Sequence, residues 1–359
     1  MDSCNTNASV NSGKCATEGI DIQCYLILNS SAQKIFIAVL CIITGTVCIF
    51  ENCLVLSMIF SSAHLRRKPS FLFIGSLATA DLLASLIFSY SFIDFHVFHG
   101  AGTPSVFLFK LGGVTLSFTA SLGSLLLTAF DRYICIYMPS KYKSIVTQKR
   151  ALQALTVMWI GTTIISFLPL MGVNCCYTDS LCSELFPLID NKYLASWILL
   201  IMILLCCIIF SYTHILWKAH KHTIYMEQHN LQAERGQHRM RMDVMLAKTL
   251  AIVLTVLVVC WTPALIIMIH SLLFPLDNKI KTIFAFCSTL CLVNSMVNPI
   301  IYALKSRELR RRLIRYLKKV KCLKKYFRSP QEVEGTQKNM DLENTCDDTV
   351  LETEFSMQG

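Results

Sequence analysis

Residues 193–217 read YLASWILLIMILLCCIIFSYTHILW. A helix needs about 20 mostly apolar residues to cross the hydrocarbon core of a bilayer, and this run is long enough. Six more runs of the same kind surround it: Ile35–Phe60, Phe71–Ile93, Ser105–Phe130, Ala151–Gly172, Thr249–Phe274 and Ile283–Leu304. Composition points the same way. Of 359 residues, 54% are hydrophobic and only 16% charged, with a mean hydropathy of +0.52, so there is too little polar surface to cover the apolar surface in water. The expected fold is an all-α integral membrane protein, a seven-transmembrane helix bundle whose termini lie on opposite sides.

Lys and Arg in short loops stay cytoplasmic. With the N-terminus outside, the outer segments carry six of the 33 basic residues: Lys14, Lys34, Lys110, Lys192, Lys279 and Lys281. The remainder fall inside, including Arg66-Arg67-Lys68 and the run Arg310–Lys325. The net charge of +10 then reads as attraction to anionic membrane lipids rather than to nucleic acid. The expected layout is an extracellular segment over 1–34, the bundle over 35–304, an amphipathic membrane-surface helix over 305–325 and a disordered cytoplasmic tail over 326–359.

Sequons at Asn7 and Asn29 suit an outer N-terminal segment, and no early basic-then-apolar pattern marks a cleavable signal peptide. Leu309, Leu313, Ile314 and Leu317 among basic residues describe a helix lying on the inner leaflet. Cys322 is a palmitoylation candidate. Thr336, Thr345, Thr349, Thr353 and Ser356 are candidate phosphosites in the tail, and the stretch Lys218–Met242 is expected to engage a partner protein. Most of the 17 cysteines lie inside apolar spans as small buried hydrophobes. Cys175, Cys176 and Cys182 sit instead in the loop after the fourth span, on the oxidising side. Cys182 is expected to pair with Cys175 or Cys176.

Strongly polar groups inside spans are costly and point to function. The set is Glu51 and Asn52 in the first span, Asp81 in the second, and Asn294 and Asn298 in the seventh. Asp131-Arg132-Tyr133 closes the third span, Cys260-Trp261-Thr262-Pro263 lies in the sixth and Asn298-Pro299-Ile300-Ile301-Tyr302 in the seventh. Together with Asn52, Asp81 and Trp159, each in its own span, these residues resemble the rhodopsin-like class of G-protein-coupled receptors over roughly Ile35 to Lys325.

A cation at a membrane boundary needs a carboxylate, and for Arg132 the distant partner expected is Asp243 at the start of the sixth helix, besides the adjacent Asp131. Releasing that pair lets the sixth helix swing about the kink at Pro263 and leaves Arg132 for a G-protein helix. Tyr212 and Tyr302 are placed to hold Arg132 in the open state. The resemblance implies a sodium site from Asp81, Ser121, Asn294 and Asn298, and an activation switch that includes Tyr133 and Pro299.

A receptor for amines needs a carboxylate in the outer half of the third span, and Ser105–Phe118 has none. Phe107, Lys110, Leu111, Val114 and Phe118 follow the three-and-four rhythm of one helix face. Aromatic walls with few polar groups suit an apolar, mostly uncharged ligand.

The strings Leu65-Arg66-Arg67-Lys68-Pro69-Ser70, Phe95-His96-Val97-Phe98-His99-Gly100, Cys182-Ser183-Glu184-Leu185-Phe186-Pro187-Leu188-Ile189 and Phe284-Ala285-Phe286-Cys287-Ser288 resemble those of the cannabinoid receptors. The short N-terminal segment is similar to the type 2 branch. Two departures from the wider class agree: Phe107 stands where a cysteine is usual, and the fifth span lacks its proline.

This resemblance implies endocannabinoid lipids as ligands and an inhibitory heterotrimeric G protein that lowers cyclic AMP. It also implies arrestin acting through the phosphorylated tail, and a plasma-membrane location. It places Phe88, Phe92, Phe95, His96, Phe107, Lys110, Val114, Thr115, Phe118, Phe186, Trp197, Trp261, Met268, Phe284 and Ser288 around the pocket, with Phe118 stacked on Trp261 as the agonist switch. No cofactor, metal or enzymatic activity is expected. A lysophospholipid receptor is the nearest alternative, with Lys110 holding the phosphate, and a membrane transporter is a distant one.

Overall fold

The computed structural model describes residues 28, 30–98, 103–178, 180–228, 234–305, 311 and 313–315, with backbone alone at 219, 222–223, 225–228, 234–251 and 302–305. In chain order the helices are α1 (Ser31–Phe60), α2 (Ala63–Arg66), α3 (Pro69–His96), α4 (Pro104–Tyr137), α5 (Tyr142–Ile145), α6 (Gln148–Phe167), α7 (Cys175–Thr178), α8 (Asn191–Gln228), α9 (Glu234–Leu273) and α10 (Asn278–Lys305). Six of them contain stretches long and apolar enough to cross a membrane: Ser31–Phe60, Pro69–His96, Pro104–Tyr137, Asn191–Lys218, Ile252–Leu273 and Asn278–Ile301. The remaining long helix, α6, has 20 residues, about 30 Å at 1.5 Å each. It is less apolar because it opens on Gln148-Lys149-Arg150 and carries Thr156, Thr162, Thr163 and Ser166. The protein is a seven-helix membrane bundle.

Several helix ends differ from the apolar boundaries. The fourth span stops at Phe167 rather than Gly172: Pro169 follows, and Gly172 turns at φ 112. The third and fifth helices instead run beyond Phe130 and Trp217, to Tyr137 and Gln228, and the sixth begins at Glu234, well before Thr249. Hydropathy marks where lipid ends, whereas a helix continues as long as its backbone bonds do. Local chemistry sets the starts. Pro69 and Pro104 occupy first-turn positions, Thr103 and Thr147 accept from the backbone of Val106 and Arg150, and Asp190 accepts from the amide of Lys192 at 2.7 Å.

The bundle is inverted relative to a water-soluble one. Phe50, Val157 and Phe210 lie on its outside, while Asn52, Asp81, Ser85, Ser121 and Thr128 are buried. Lipid does not drive helices together as water does, so close backbone approach and interhelical hydrogen bonds do more of the work. A Cβ on Gly112 would come within 2.8 Å of the Phe167 ring, and one on Gly123 within 3.0 Å of Met158, so α4 meets α6 at glycines. Asn52 donates to Cys48 O at 2.9 Å and to Ser295 O at 3.4 Å, tying α1 to α10. Trp159 donates to Ser76 at 2.9 Å, and Ser76 lies 2.8 Å from Ser124, joining α6, α3 and α4.

Asn7 and Asn29, nearly all of 305–325, and the tail over 326–359 lie outside the described residues, as do the side chains of Asp243 and Tyr302.

Candidate functional site

Between α3, α4, α8, α9 and α10, and under the loop after α7, lies a cavity of about 190 Å³. All fifteen residues expected around a pocket open onto it. Its wall is a continuous series of rings. Trp261 meets Phe118 at 5.7 Å, Phe118 meets Phe88 at 5.6 Å, Phe88 meets Phe92 at 5.0 Å and Phe92 meets His96 at 4.4 Å. Phe95 then bridges His96 at 4.9 Å and Phe107 at 5.5 Å. Across the mouth, Phe186 meets Phe284 edge to face at 5.6 Å. The Phe118 and Trp261 planes cross at 87°, so the pair is edge to face rather than stacked. A positive ring edge on a negative ring face favours that arrangement.

The loop that roofs the cavity is held in three ways. Cys175 is bonded to Cys182, the pairing left open between Cys175 and Cys176. Ser183 donates from its amide to Ile189 O at 2.7 Å, closing a tight turn in which buried Leu188 takes φ 66. Glu184 accepts from the amide of Leu276 at 2.6 Å and lies 3.7 Å from Lys281 Nζ, fastening the loop to the segment between α9 and α10. This places Leu185, Phe186, Pro187 and Ile189 in the wall.

Polar groups in the wall are few and mostly engaged. Lys110 donates to Asp94 at 2.6 Å and lies 5.4 Å above the Tyr90 ring. Thr115 and Ser288 donate to the carbonyls of Leu111 and Ala285, at 2.9 and 2.8 Å. Trp197 donates to Thr119 at 3.0 Å and Tyr193 to Ile165 O at 3.0 Å. Ser91 Oγ, Ser166 Oγ and Trp261 Nε1 are buried without a hydrogen bond. The sequence reading missed Ser91, Ser166 and Thr119, because hydroxyls scattered through apolar helices carry no local signal of which face they occupy.

Below the cavity, Asp81 is fully buried and accepts from Ser121 at 2.6 Å and from Asn298 at 2.9 Å. Asn294 is also buried in α10. One carboxylate with hydroxyl and amide oxygens is a hard, oxygen-only donor set, which fits a small monovalent cation. Among the described residues no cluster of three His, Cys, Asp or Glu is placed to hold a metal.

At the far end of α4, Asp131 is buried and its carboxylate is fully engaged. It accepts from Arg132 Nε at 2.9 Å and from a second guanidinium nitrogen, from Ser70 at 2.9 Å and from Tyr142 at 2.7 Å. Arg132 also donates to Ser70 at 2.5 Å. Burial, together with donation to Asp131, pushes the Tyr142 hydroxyl up to about 12, partly offset by Ser70. Ser70 and Tyr142 were not legible as partners of Asp131, since nothing in a sequence brings a loop tyrosine to a helix-end aspartate. Tyr133 stacks on Tyr137 at 4.5 Å, and Tyr212 is buried in α8. Pro263 and Pro299 lie inside α9 and α10.

A seven-helix bundle with a ring-walled cavity near one end, a buried aspartate at its centre and an Asp-Arg pair at the other end defines a rhodopsin-family seven-transmembrane receptor. Residues 51–302 match the family described as 7 transmembrane receptor (rhodopsin family). Within that class the chain belongs to the cannabinoid receptors. It is 57% identical to cannabinoid receptor 2 of Rattus norvegicus over 286 residues, 80% of this chain and 79% of that one. It is 54% identical to cannabinoid receptor 2 of Mus musculus over 310 residues, 86% and 88% of the two chains. Cannabinoid receptor 1 of Taricha granulosa is 52% identical over 310 residues, 83% of this chain and 65% of that one.

Proposed function

We propose that this receptor binds endocannabinoid-type lipids, long fatty-acyl amides and esters, in the ring-walled cavity and couples to an inhibitory heterotrimeric G protein, lowering cyclic AMP. One observation carries the ligand class: among the described wall residues the single Lys or Arg, Lys110, is already neutralised by Asp94, which leaves a lining there that rewards apolar contact and lacks a free charge. The alternative, a lysophospholipid, needs a free cation for its phosphate, and at 2.6 Å from a carboxylate Lys110 does not supply one cheaply.

The chemistry of the switch follows from the same geometry. A ligand that displaces Phe118 removes the ring edge resting on Trp261, and α9 carries Pro263 two residues further on, where the missing backbone donor makes the helix pliable. Asp81, Ser121, Asn294 and Asn298 would hold a sodium ion, whose charge would neutralise the buried carboxylate and favour the resting arrangement. Movement of α9 exposes the end of α4, where Arg132 exchanges Asp131 and Ser70 for the G protein. Ligand and G protein bind the same open state and therefore strengthen each other's affinity. The N-terminus is outside and the C-terminus inside, in the plasma membrane, and arrestin engages the phosphorylated tail.

The test is nucleotide exchange on a panel of purified G proteins, with membranes challenged by fatty-acyl ethanolamides, monoacylglycerols and lysophospholipids. Exchange on inhibitory Gα with the first two supports the reading. A response to lysophospholipids alone, or none on inhibitory Gα, overturns it.

A further inference from the structure

We infer that Tyr137 and Lys218 are positioning residues: they form a two-way clasp that fastens the inner part of α8 to the end of α4 and holds the receptor in its resting arrangement. Contacts run in both directions between the two helices. Lys218 Nζ, reaching from α8, donates to Ile136 O at 2.9 Å and lies 4.1 Å from the centre of the Tyr137 ring. Tyr137, reaching back from α4, donates its hydroxyl to His214 O inside α8 at 3.0 Å.

Each contact answers a local need. α4 ends at Tyr137, so Ile136 O is among the last four carbonyls of that helix, which lack a donor one turn further on. A cation is also favoured at the negative end of the helix dipole. The Tyr137 ring gives the ammonium a second partner through its negative face. His214 O serves the α8 ladder and has a second lone pair for the tyrosine hydroxyl. Tyr133 stacks on Tyr137 at 4.5 Å with the planes 16° apart, which keeps the ring where the ammonium meets it. Both clasp residues are half-buried.

Placement along the two helices ties the clasp to the switch. Ile136 lies one turn beyond Arg132 on α4, and Tyr212 lies six residues before Lys218 on α8. The clasp coexists with Arg132 bound to Asp131 and Ser70, the resting arrangement. For Tyr212 to take Arg132, α8 must slide or turn against α4, and either motion pulls Lys218 Nζ off Ile136 O. The inference rests on the reading that this receptor couples to a G protein, and adds to the Arg132–Asp131 pair a second restraint carried by another helix.

The test uses the purified full-length receptor in nanodiscs and two readouts, the first independent of any G protein. Amide hydrogen–deuterium exchange is followed by mass spectrometry in peptides spanning 210–221. Tyr137→Leu and Lys218→Met should each speed exchange there about three- to tenfold, the range set by one cation–π contact or one interhelical hydrogen bond. The double variant should do no more than the faster single one, because both substitutions break the same clasp. Lys218→Arg, which keeps a cation with donors, should stay near wild type, and Tyr137→Phe, which keeps the ring and loses the hydroxyl, should fall between. Ligand-free nucleotide exchange on inhibitory Gα should rise about threefold in Tyr137→Leu and Lys218→Met. It should not rise in Lys221→Gln, whose ammonium lies over the Trp217 ring on the same helix. Wild-type deuterium exchange in both single variants, or effects that multiply in the double variant, overturns the clasp. Faster deuterium exchange with unchanged basal nucleotide exchange, where agonist still stimulates, overturns its hold on the resting state. Should no Gα respond to any agonist, the coupling reading fails and the deuterium readout still decides the clasp. Should Tyr137→Leu fold poorly, Tyr137→Phe and Lys218→Met carry the same comparison.

Discussion

Thr119→Val isolates one contact that sets the shape of the cavity. Thr119 is 1% exposed and does not line the cavity, yet its hydroxyl accepts from Trp197 Nε1 at 3.0 Å while donating to Thr115 O at 2.7 Å. Trp197 lines the cavity, and this is the hydrogen bond that orients its indole. Valine keeps the volume of threonine and removes the acceptor. The Thr115 carbonyl keeps its place in the helix ladder, so the loss falls on a part-buried indole N–H, at a cost of about 1–3 kcal/mol. If the ring stays put, that cost appears as lowered thermal stability. If the ring turns to find water or another acceptor, it intrudes on the cavity, and about 1.4 kcal/mol of misfit lowers ligand affinity about tenfold. The assay is saturation binding of a lipid agonist beside a thermal-shift measurement, on Thr119→Val and on Thr119→Ser, which restores the acceptor. Wild-type affinity together with a wild-type melting temperature in the valine variant would refute the role given to this hydroxyl.

Tyr142→Phe deletes a donor to Asp131 and loosens its hold on Arg132, so ligand-free nucleotide exchange should rise. Because the Tyr142 hydroxyl is raised to about 12, the proton it donates stays in place below its ordinary value of about 10 and is lost only as pH climbs through the raised one; basal exchange should show no contribution from this group between about pH 6 and 9. Lys110→Gln removes a partner from an ion pair about a fifth exposed on each side, worth at most about 1 kcal/mol, so affinity for an uncharged lipid should stay within about fivefold in competition binding. A much larger fall would reinstate a phosphate-headed ligand. Ser288→Ala deletes a wall hydroxyl with accepting capacity to spare and should weaken agonists with a donor headgroup by about two- to tenfold, leaving headgroup-free analogues alone. Asp243→Ala should raise ligand-free coupling in the same exchange assay; unchanged basal exchange would remove Asp243 from the lock.

The class of fold was legible because a bilayer imposes a length. Runs such as 193–217 cannot be anything but spans in so apolar a chain, and the basic residues between them argue an orientation. The pocket walls were legible from helical spacing along α4 and from the four family strings. Other features were hidden. The fourth span was overdrawn by five residues because Leu168, Leu170 and Met171 are as apolar as the helix they follow, and only Pro169 ends it. Lys110 was readable as a cation in the wall but not as a paired one, since Asp94 lies on another helix. Ser70 and Tyr142, separated by 72 positions, meet over Asp131 only in three dimensions.

Sequence alone therefore determined that the chain crosses a membrane, how many times, which receptor class it belongs to and which side chains are candidates for ligand and switch. Those properties depend on composition, period and local motif, which survive any rearrangement of the helices. Tertiary structure alone decided which charges cancel, which hydroxyls are spent and how the rings meet, because a hydrogen bond or a ring contact acts only within a few ångströms, and it is the packing of one helix on another that sets those distances.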